Sequence, residues 1–442
     1  MTAKPALKVV ADKDQPADTG LRYSTMSSAR PRPGTGPYAV LDVGSTKIAC
    51  MIGQVDGDGT VRVKAAAHHA AEGIEAGQIV DMEAAAGAIG ATVQAAEKLA
   101  GLRVEKLFVN INDAYTKAHR VDFTVAVGGK TITREFLQRA YAQSPTLAKL
   151  AEYQIIHTLP LHYTLDETAF IQDPLGMVGQ QLQVHLLVFT ARPEPVLNLR
   201  NCIARNYLEV EAMCSSALAS ALSVLREDER RLGVSVIDMG GGTSSVTTFQ
   251  RGNPVFAECV PMGGLHVTHD LAAALQTPIA EAERIKTLFG SATPNASLET
   301  KQIEVPVLGD TGGLETRLFP QSILSSIIEP RISEILCQVR DCMLKSGYEG
   351  VGRYIVLTGG AAQLPGVRDL AQQIFEKPVE LRAPEPHKGM TQPNSGPAFA
   401  TTGGLLRFAM TQEFRKDSVS LDVSPANPTL MSRLKGWMKD NL

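Results

Sequence analysis

The sequence has no Cys-x-x-Cys pair, no apolar run long enough to cross a bilayer, and no excess of basic charge. Each absence closes a class of function. The six cysteines (Cys50, Cys202, Cys214, Cys259, Cys337 and Cys342) are scattered, which favours reduced core thiols over a disulfide framework or a zinc site. Among the nine histidines, His68 and His69 are adjacent and diverge. His266 and His269 could share a helical face but lack an acidic or cysteine partner at ligand spacing, so histidine-bound metal is not expected. A net charge of −3 offers no global field for a polyanion, so no nucleic-acid partner is expected. No secretory signal is visible, which places the chain in the cytosol or on the cytosolic face of a membrane.

What is present is a chain of 442 residues, 44% hydrophobic and 20% charged, too long for one core. Residues 1–36 hold Pro5, Pro16, Pro31 and Pro33 and few large apolar groups, and they read as a disordered tail. Helices are expected over Ala84–Ala100, Arg134–Tyr141 with Thr133 as its cap, Glu194–Arg205, Ser215–Arg226 and Ile323–Lys345. Strands are expected over Leu107–Ile111, Asp122–Val127 and Val184–Phe189. The alternation argues for α/β sheets covered by helices.

The most informative feature is an internal echo. Tyr38-Ala-Val-Leu-Asp42-Val-Gly44-Ser45-Thr46-Lys47 reads as a strand, an acid and a small-residue turn. Val234-Ser-Val-Ile-Asp238-Met-Gly240-Gly241-Gly242-Thr243 repeats it 196 residues later. Each is followed by a returning apolar run, Ile48–Val55 or Val246–Phe249, so each is a β-hairpin with an acid ending its first strand. Two copies suggest a duplicated α/β domain with a site between them.

Glycine turns let backbone N–H groups approach phosphate oxygens, since no Cβ intervenes. Gly44, Ser45, Thr46, Gly240, Gly241, Gly242, Thr243 and Ser244 are therefore candidate phosphate contacts, with Lys47 as the cation. Asp42 and Asp238 would face each other and hold Mg²⁺ through its waters. Taken singly, each turn could be no more than a tight hairpin; the matched pair argues for a clamp. A third turn, Thr358-Gly359-Gly360-Ala361, follows the apolar strand Tyr354–Leu357 and could let a base or ribose lie on bare backbone. Glu283 and Lys286 are i, i+3 neighbours on a helix, which alone describes an ordinary salt-bridged face.

Three such turns in this order resemble the actin–Hsp70–hexokinase superfamily. Within it the chain is similar to the FtsA family of bacterial cell-division proteins. The resemblance is carried by Leu41–Lys47, by Glu227-Asp-Glu-Arg-Arg-Leu-Gly233 leading into Asp238–Thr243, by Ile328-Glu-Pro-Arg331 and by Val356–Gln363. It covers Tyr38–Phe408 and the C-terminal helix. It implies an α/β, actin-like two-lobed fold of ribonuclease-H type, with ATP and Mg²⁺ between the lobes. Glu283 and Lys286 match the family's ribose and adenine contacts, and Gly359, Gly360 and Ala361 its adenosine turn. The first lobe would comprise 37–103, 189–229 and 400–411, and a small inserted assembly domain 104–188. The second lobe would comprise 230–261 and 331–399, with 262–330 as its small subdomain. The resemblance further implies self-assembly into a homopolymer, docking of the tubulin-like protein FtsZ on that subdomain, and contacts of later division proteins with the insert. Many actin-like ATPases carry an acid two residues after the Gly-Gly-Gly-Thr run; here it is Ser245. With no other base for water evident, ATP binding is expected more firmly than turnover, at most a weak ATPase activity.

A linker at 412–428 leads to a final patterned segment, 429–442. Leu430, Met431, Leu434, Trp437, Met438 and Leu442 fall on one helical face, with Arg433, Lys435 and Lys439 at its polar side. An apolar face with a tryptophan and flanking cations suits the interface of an anionic membrane. The alternative is a helix docked on the protein's own core. The expectation is a filament-forming adaptor on the cytoplasmic face of the cell membrane at the division site. Its rivals are a sugar or carboxylic-acid kinase of the same superfamily, and a pilus-assembly scaffold sharing the inserted domain. A chaperone like Hsp70 would need a substrate-binding domain after the ATPase-like body, for which too few residues follow.

Overall fold

The two halves of the echo build two sheets wired alike. In the first, Tyr38–Val43 pairs antiparallel with Lys47–Val55, and that strand with Val61–Ala70. On its other side Tyr38–Val43 runs parallel to Lys106–Ile111, which runs parallel to Glu209–Ser215. In the second, Val234–Met239, Ser244–Gln250 and Asn253–Val260 form the same antiparallel meander, and Val234–Met239 continues parallel to Ile355–Thr358 and then Val379–Leu381. Short turns permit only antiparallel pairing, whereas the parallel neighbours need helical crossovers such as Met82–Ala100 and Ser322–Ser346. This computed structural model describes residues 36–57, 60–150, 152–294, 301–308, 315–348, 350–390 and 394–410. The tail, the linker and the candidate membrane helix lie outside the described residues.

Local sequence explains the element ends. Asp81 caps the helix Met82–Ala100 by accepting from the Glu83 and Ala84 amides at 2.9 and 3.1 Å, and Gly101 ends it at φ 68°. Thr133 caps Arg134–Ala142 as the sequence predicts, accepting from the Phe136 amide at 3.2 Å. Ile48–Ile52 is buried throughout, because helices cover one face of its sheet and the lobe junction the other.

The inserted domain starts later than the sequence reading places it. Lys106–Ile111 is hydrogen-bonded inside the first sheet, so it belongs to the first lobe, and the insert begins after it. The error has a simple origin: an apolar strand looks the same whichever sheet it joins. The insert contains strands Lys117–Ala126, Gln154–Leu165, Thr168–Ile171 and Gln181–Ala191, with helices Arg134–Ala142 and Pro145–Ala148. Its strands extend the second lobe's sheet to nine, through the pairing of Lys117 with Glu258. Leu159, Leu161, Leu187 and Phe189 of the insert share one core cluster with Phe249 and Ala257 of the second lobe.

Two segments cross between the lobes. The helix Ser216–Val224 leads into the second lobe, and Ala400–Met410 returns to the first. They touch backbone to backbone: a Cβ on Gly404 would lie 1.7 Å from the Ala219 carbonyl oxygen. The small subdomain carries helices Gly264–Leu275 and Ile279–Phe289 and the hairpin Gln302–Pro306 with Thr316–Pro320. Arg331 fixes the long helix Ser322–Ser346 to it by gripping Asp270 at 2.6 and 3.0 Å.

Candidate nucleotide-binding cleft

The two hairpin turns close in the same way. The Gly44 amide donates to the Lys47 carbonyl at 3.0 Å, and the Gly240 amide to the Thr243 carbonyl at 2.9 Å. The sheets present them face to face at near contact. A Cβ on Gly241 would lie 2.3 Å from the Thr46 methyl, and one on Gly242 would lie 2.5 Å from the Ser45 hydroxyl. A residue larger than glycine at either position would wedge the lobes apart. A solvent-open cleft lies between the turns. Asp42, Gly44, Ser45, Thr46, Lys47, Asp238, Gly240, Gly241, Gly242, Thr243, Gly359 and Gly360 all line it, as the sequence anticipated.

The two acids end the paired first strands, Asp42 buried and Asp238 half-buried. Asp42 Oδ1 accepts from Asn110 Nδ2 at 3.0 Å and Oδ2 from the Thr402 hydroxyl at 2.8 Å. Asp238 Oδ2 accepts from the Thr401 hydroxyl at 3.1 Å. Burial raises the Asp42 pKa, opposed by Lys47 and the Thr402 bond. Burial likewise pushes Asp238 up to about 6, with Asp42 adding like charge. Lys47 is lowered by burial and held up by both carboxylates. Two carboxylates lining one cleft with a single lysine leave negative charge that a cation would neutralise. The donors are oxygens only, which suits a hard ion such as Mg²⁺. Among the described residues no three His, Cys, Asp or Glu side chains cluster as a metal site.

Lys47 Nζ donates to the Ala398 carbonyl and sits 3.7 Å above the centre of the Phe399 ring. The third turn abuts the same spot. Gly359, at φ 92°, leaves room for Asp238: a Cβ there would lie 2.4 Å from Asp238 Oδ1. Glu283 and Lys286 share a network beside the turns. Lys286 Nζ donates to Glu283 at 2.6 Å, to Thr268 at 2.8 Å and to the Gly264 carbonyl at 3.0 Å. A Cβ on Gly264 would lie 3.0 Å from Ala361, so the network adjoins the third turn.

Ser244 departs from expectation. Its hydroxyl donates to the Met262 carbonyl at 2.8 Å and the residue is fully buried, while Ser245 lines the cleft instead. Strand alternation from Thr243 accounts for the swap. Sequence reasoning also missed Asn110, Asn112, Ser216, Ala398, Thr401 and Thr402. Asn112 Nδ2 donates to the Thr243 hydroxyl at 2.6 Å, joining the floor of the cleft to the second turn. Asn110 interrupts the apolar strand Lys106–Ile111, and Thr401–Thr402 an apolar helix; a buried polar residue of that kind is the signal that could have found them.

Comparison with known proteins decides the family. The family model for cell division protein FtsA matches residues 235–404, and the model for the SHS2 domain inserted in FtsA matches 114–190. Cell division protein FtsA of Rhizobium meliloti (strain 1021) is 34% identical over 91% of this chain and 94% of its own length. The chain belongs to the FtsA family. Two solved structures share this chain's fold. They are a PilM–PilN type IV pilus biogenesis complex, at TM-score 0.61 and 15% identity over 85% of this chain and 99% of that one, and ADP-bound MreB5 of Spiroplasma citri, at 0.52 and 13% over 87% and 100%. FtsA membership gives the chain an actin-like cell-division role, associated with the division site and its machinery. The actin-like fold with its inserted domain is as expected, and the insert's matched start at 114 agrees with the reassigned strand. Among the described residues no helix is long and apolar enough to cross a membrane.

Proposed function

We propose that this FtsA-family chain binds ATP with Mg²⁺ between its lobes, polymerises on the cytoplasmic membrane, tethers FtsZ there and recruits later division proteins. The observation that carries the nucleotide reading is the pair of identically closed glycine turns, each preceded by an aspartate that lines the cleft, and facing the other across it. Backbone amides of both turns and Lys47 would hold the phosphates, and Asp42 and Asp238 would hold the waters of Mg²⁺. Mg²⁺ would supply neutralisation of phosphate charge. Glu283, Lys286 and Ala361 would flank the nucleoside. Ser245, in place of an acid, leaves water without a base, so hydrolysis is at most weak.

The membrane reading rests on the pattern of Leu430, Met431, Leu434, Lys435, Trp437, Met438, Lys439 and Leu442. One such helix binds reversibly, and a polymer carrying many would bind firmly. Sedimentation with anionic vesicles, ATP, Mg²⁺ and FtsZ tests it, comparing the full chain with one truncated after Asn427. The full chain should pellet and carry FtsZ down, and the truncated one should stay soluble. If both stay soluble, the tether is wrong, and cleft-directed screening for a kinase substrate becomes the better course.

A further inference from the structure

The returning helix meets both acids at once. Thr401 and Thr402 are consecutive, so their side chains point about 100° apart around the helix. Thr402 reaches Asp42 of the first lobe and Thr401 reaches Asp238 of the second. A helical threonine would ordinarily bond back to the carbonyl four residues earlier. Those carbonyls have other donors. Pro397 accepts from the Gly359 amide at 3.1 Å and the Thr358 hydroxyl at 3.3 Å, and Ala398 accepts from Lys47. Both hydroxyls are thereby left to the carboxylates.

We infer that Thr401 and Thr402 are positioning residues that aim the Asp238 and Asp42 carboxylates at one shared cation across the cleft. The inference rests on the nucleotide reading above and deepens it. Each hydroxyl fixes one carboxylate oxygen, while Asn110 fixes the other oxygen of Asp42, so neither acid can rotate freely. Because both donors sit on one rigid helix, the separation of the two carboxylates is set by the helix and not by either lobe alone. The cation would therefore meet a preset pair.

The test is binding of a fluorescent ATP analogue by the full chain, measured in Mg²⁺ and again in EDTA. Thr401→Val and Thr402→Val keep the shape and remove the hydroxyl. Each should weaken binding in Mg²⁺ by about tenfold or more, a size set by hydrogen bonds to charged groups, and change it little in EDTA. Thr401→Ser and Thr402→Ser should restore it. Equal affinity of wild type and valine variants in Mg²⁺ overturns the inference, and so does an equal loss with and without Mg²⁺, which would mark a purely structural role. If the valine variants do not fold, the alanine variants serve with the same expectations. Wild type that binds no nucleotide overturns the ATP reading itself, and this inference with it.

Discussion

Arg192 grips Asp113 with both arms of its guanidinium, at 2.9 and 3.2 Å, across the two chain segments that join the insert to the first lobe. Asp113 has no exposed surface, and Arg192 also stacks 3.9 Å over the Tyr115 ring. The fork needs a planar bidentate donor, so lysine is a poor substitute. Arg192→Ala should cost about 3 kcal/mol in urea unfolding, because it strands a buried carboxylate. Arg192→Lys should recover only part of it. A loss under 1 kcal/mol for the alanine variant would show that the pair contributes little.

Gly404 is the tightest point between the crossing helices. A methyl group there would collide with the Ala219 carbonyl, which belongs to backbone and cannot turn aside. Gly404→Ala should lower stability by about 3 kcal/mol or more or prevent folding, checked by thermal melting. Gly101, whose Cβ would meet no atom within 4 Å, is the contrast. There only the positive φ resists substitution, so Gly101→Asn should cost under about 1 kcal/mol.

His157 is buried edge-on to Phe189 and Phe408, and accepts from the Ser215 amide at 3.2 Å. Burial lowers its pKa to about 3. An ordinary histidine titrates at about 6.5, so the unfolded chain takes up the proton first as pH falls. Stability is therefore full above about pH 6.5 and declines below it, by up to about 1.4 kcal/mol per unit, until pH 3. Urea unfolding of wild type and His157→Gln between pH 7 and 5 checks this. The variant should be less stable at pH 7 and should lose about 2 kcal/mol less on acidification. Parallel pH profiles would exclude His157 as the source.

Lys47 lies between the two acids and the returning chain, so its loss should act on binding more than on folding. Lys47→Ala should weaken ATP affinity about tenfold to a hundredfold in equilibrium titration with Mg²⁺. Unchanged affinity would remove Lys47 from the phosphate site.

Much of this arrangement was legible in the chain. The hairpins and their acids announce themselves because the same pattern occurs twice; either turn alone would read as an ordinary tight hairpin. Asp42, Lys47, Asp238 and Gly359 meet where the echo places them. Strand Lys106–Ile111 was misassigned because hydrophobicity marks burial and not the partner strand. Thr401 and Thr402 were invisible for a related reason: their partners lie 163 and 360 residues away, and no local pattern encodes that pairing. Ser244 and Ser245 differ only in which side of a pleat they occupy.

The insert is spliced into the first lobe but shares its sheet and core with the second. Excising residues 114–190 would therefore not return a smaller, intact actin-like body. It would uncover Phe249 and Ala257 and bare the flank of Asn253–Val260, a strand whose amides and carbonyls could then recruit any other extended chain. A shortened chain of that kind would clump through an exposed sheet edge, and its loss of activity would say nothing about which partners the insert binds.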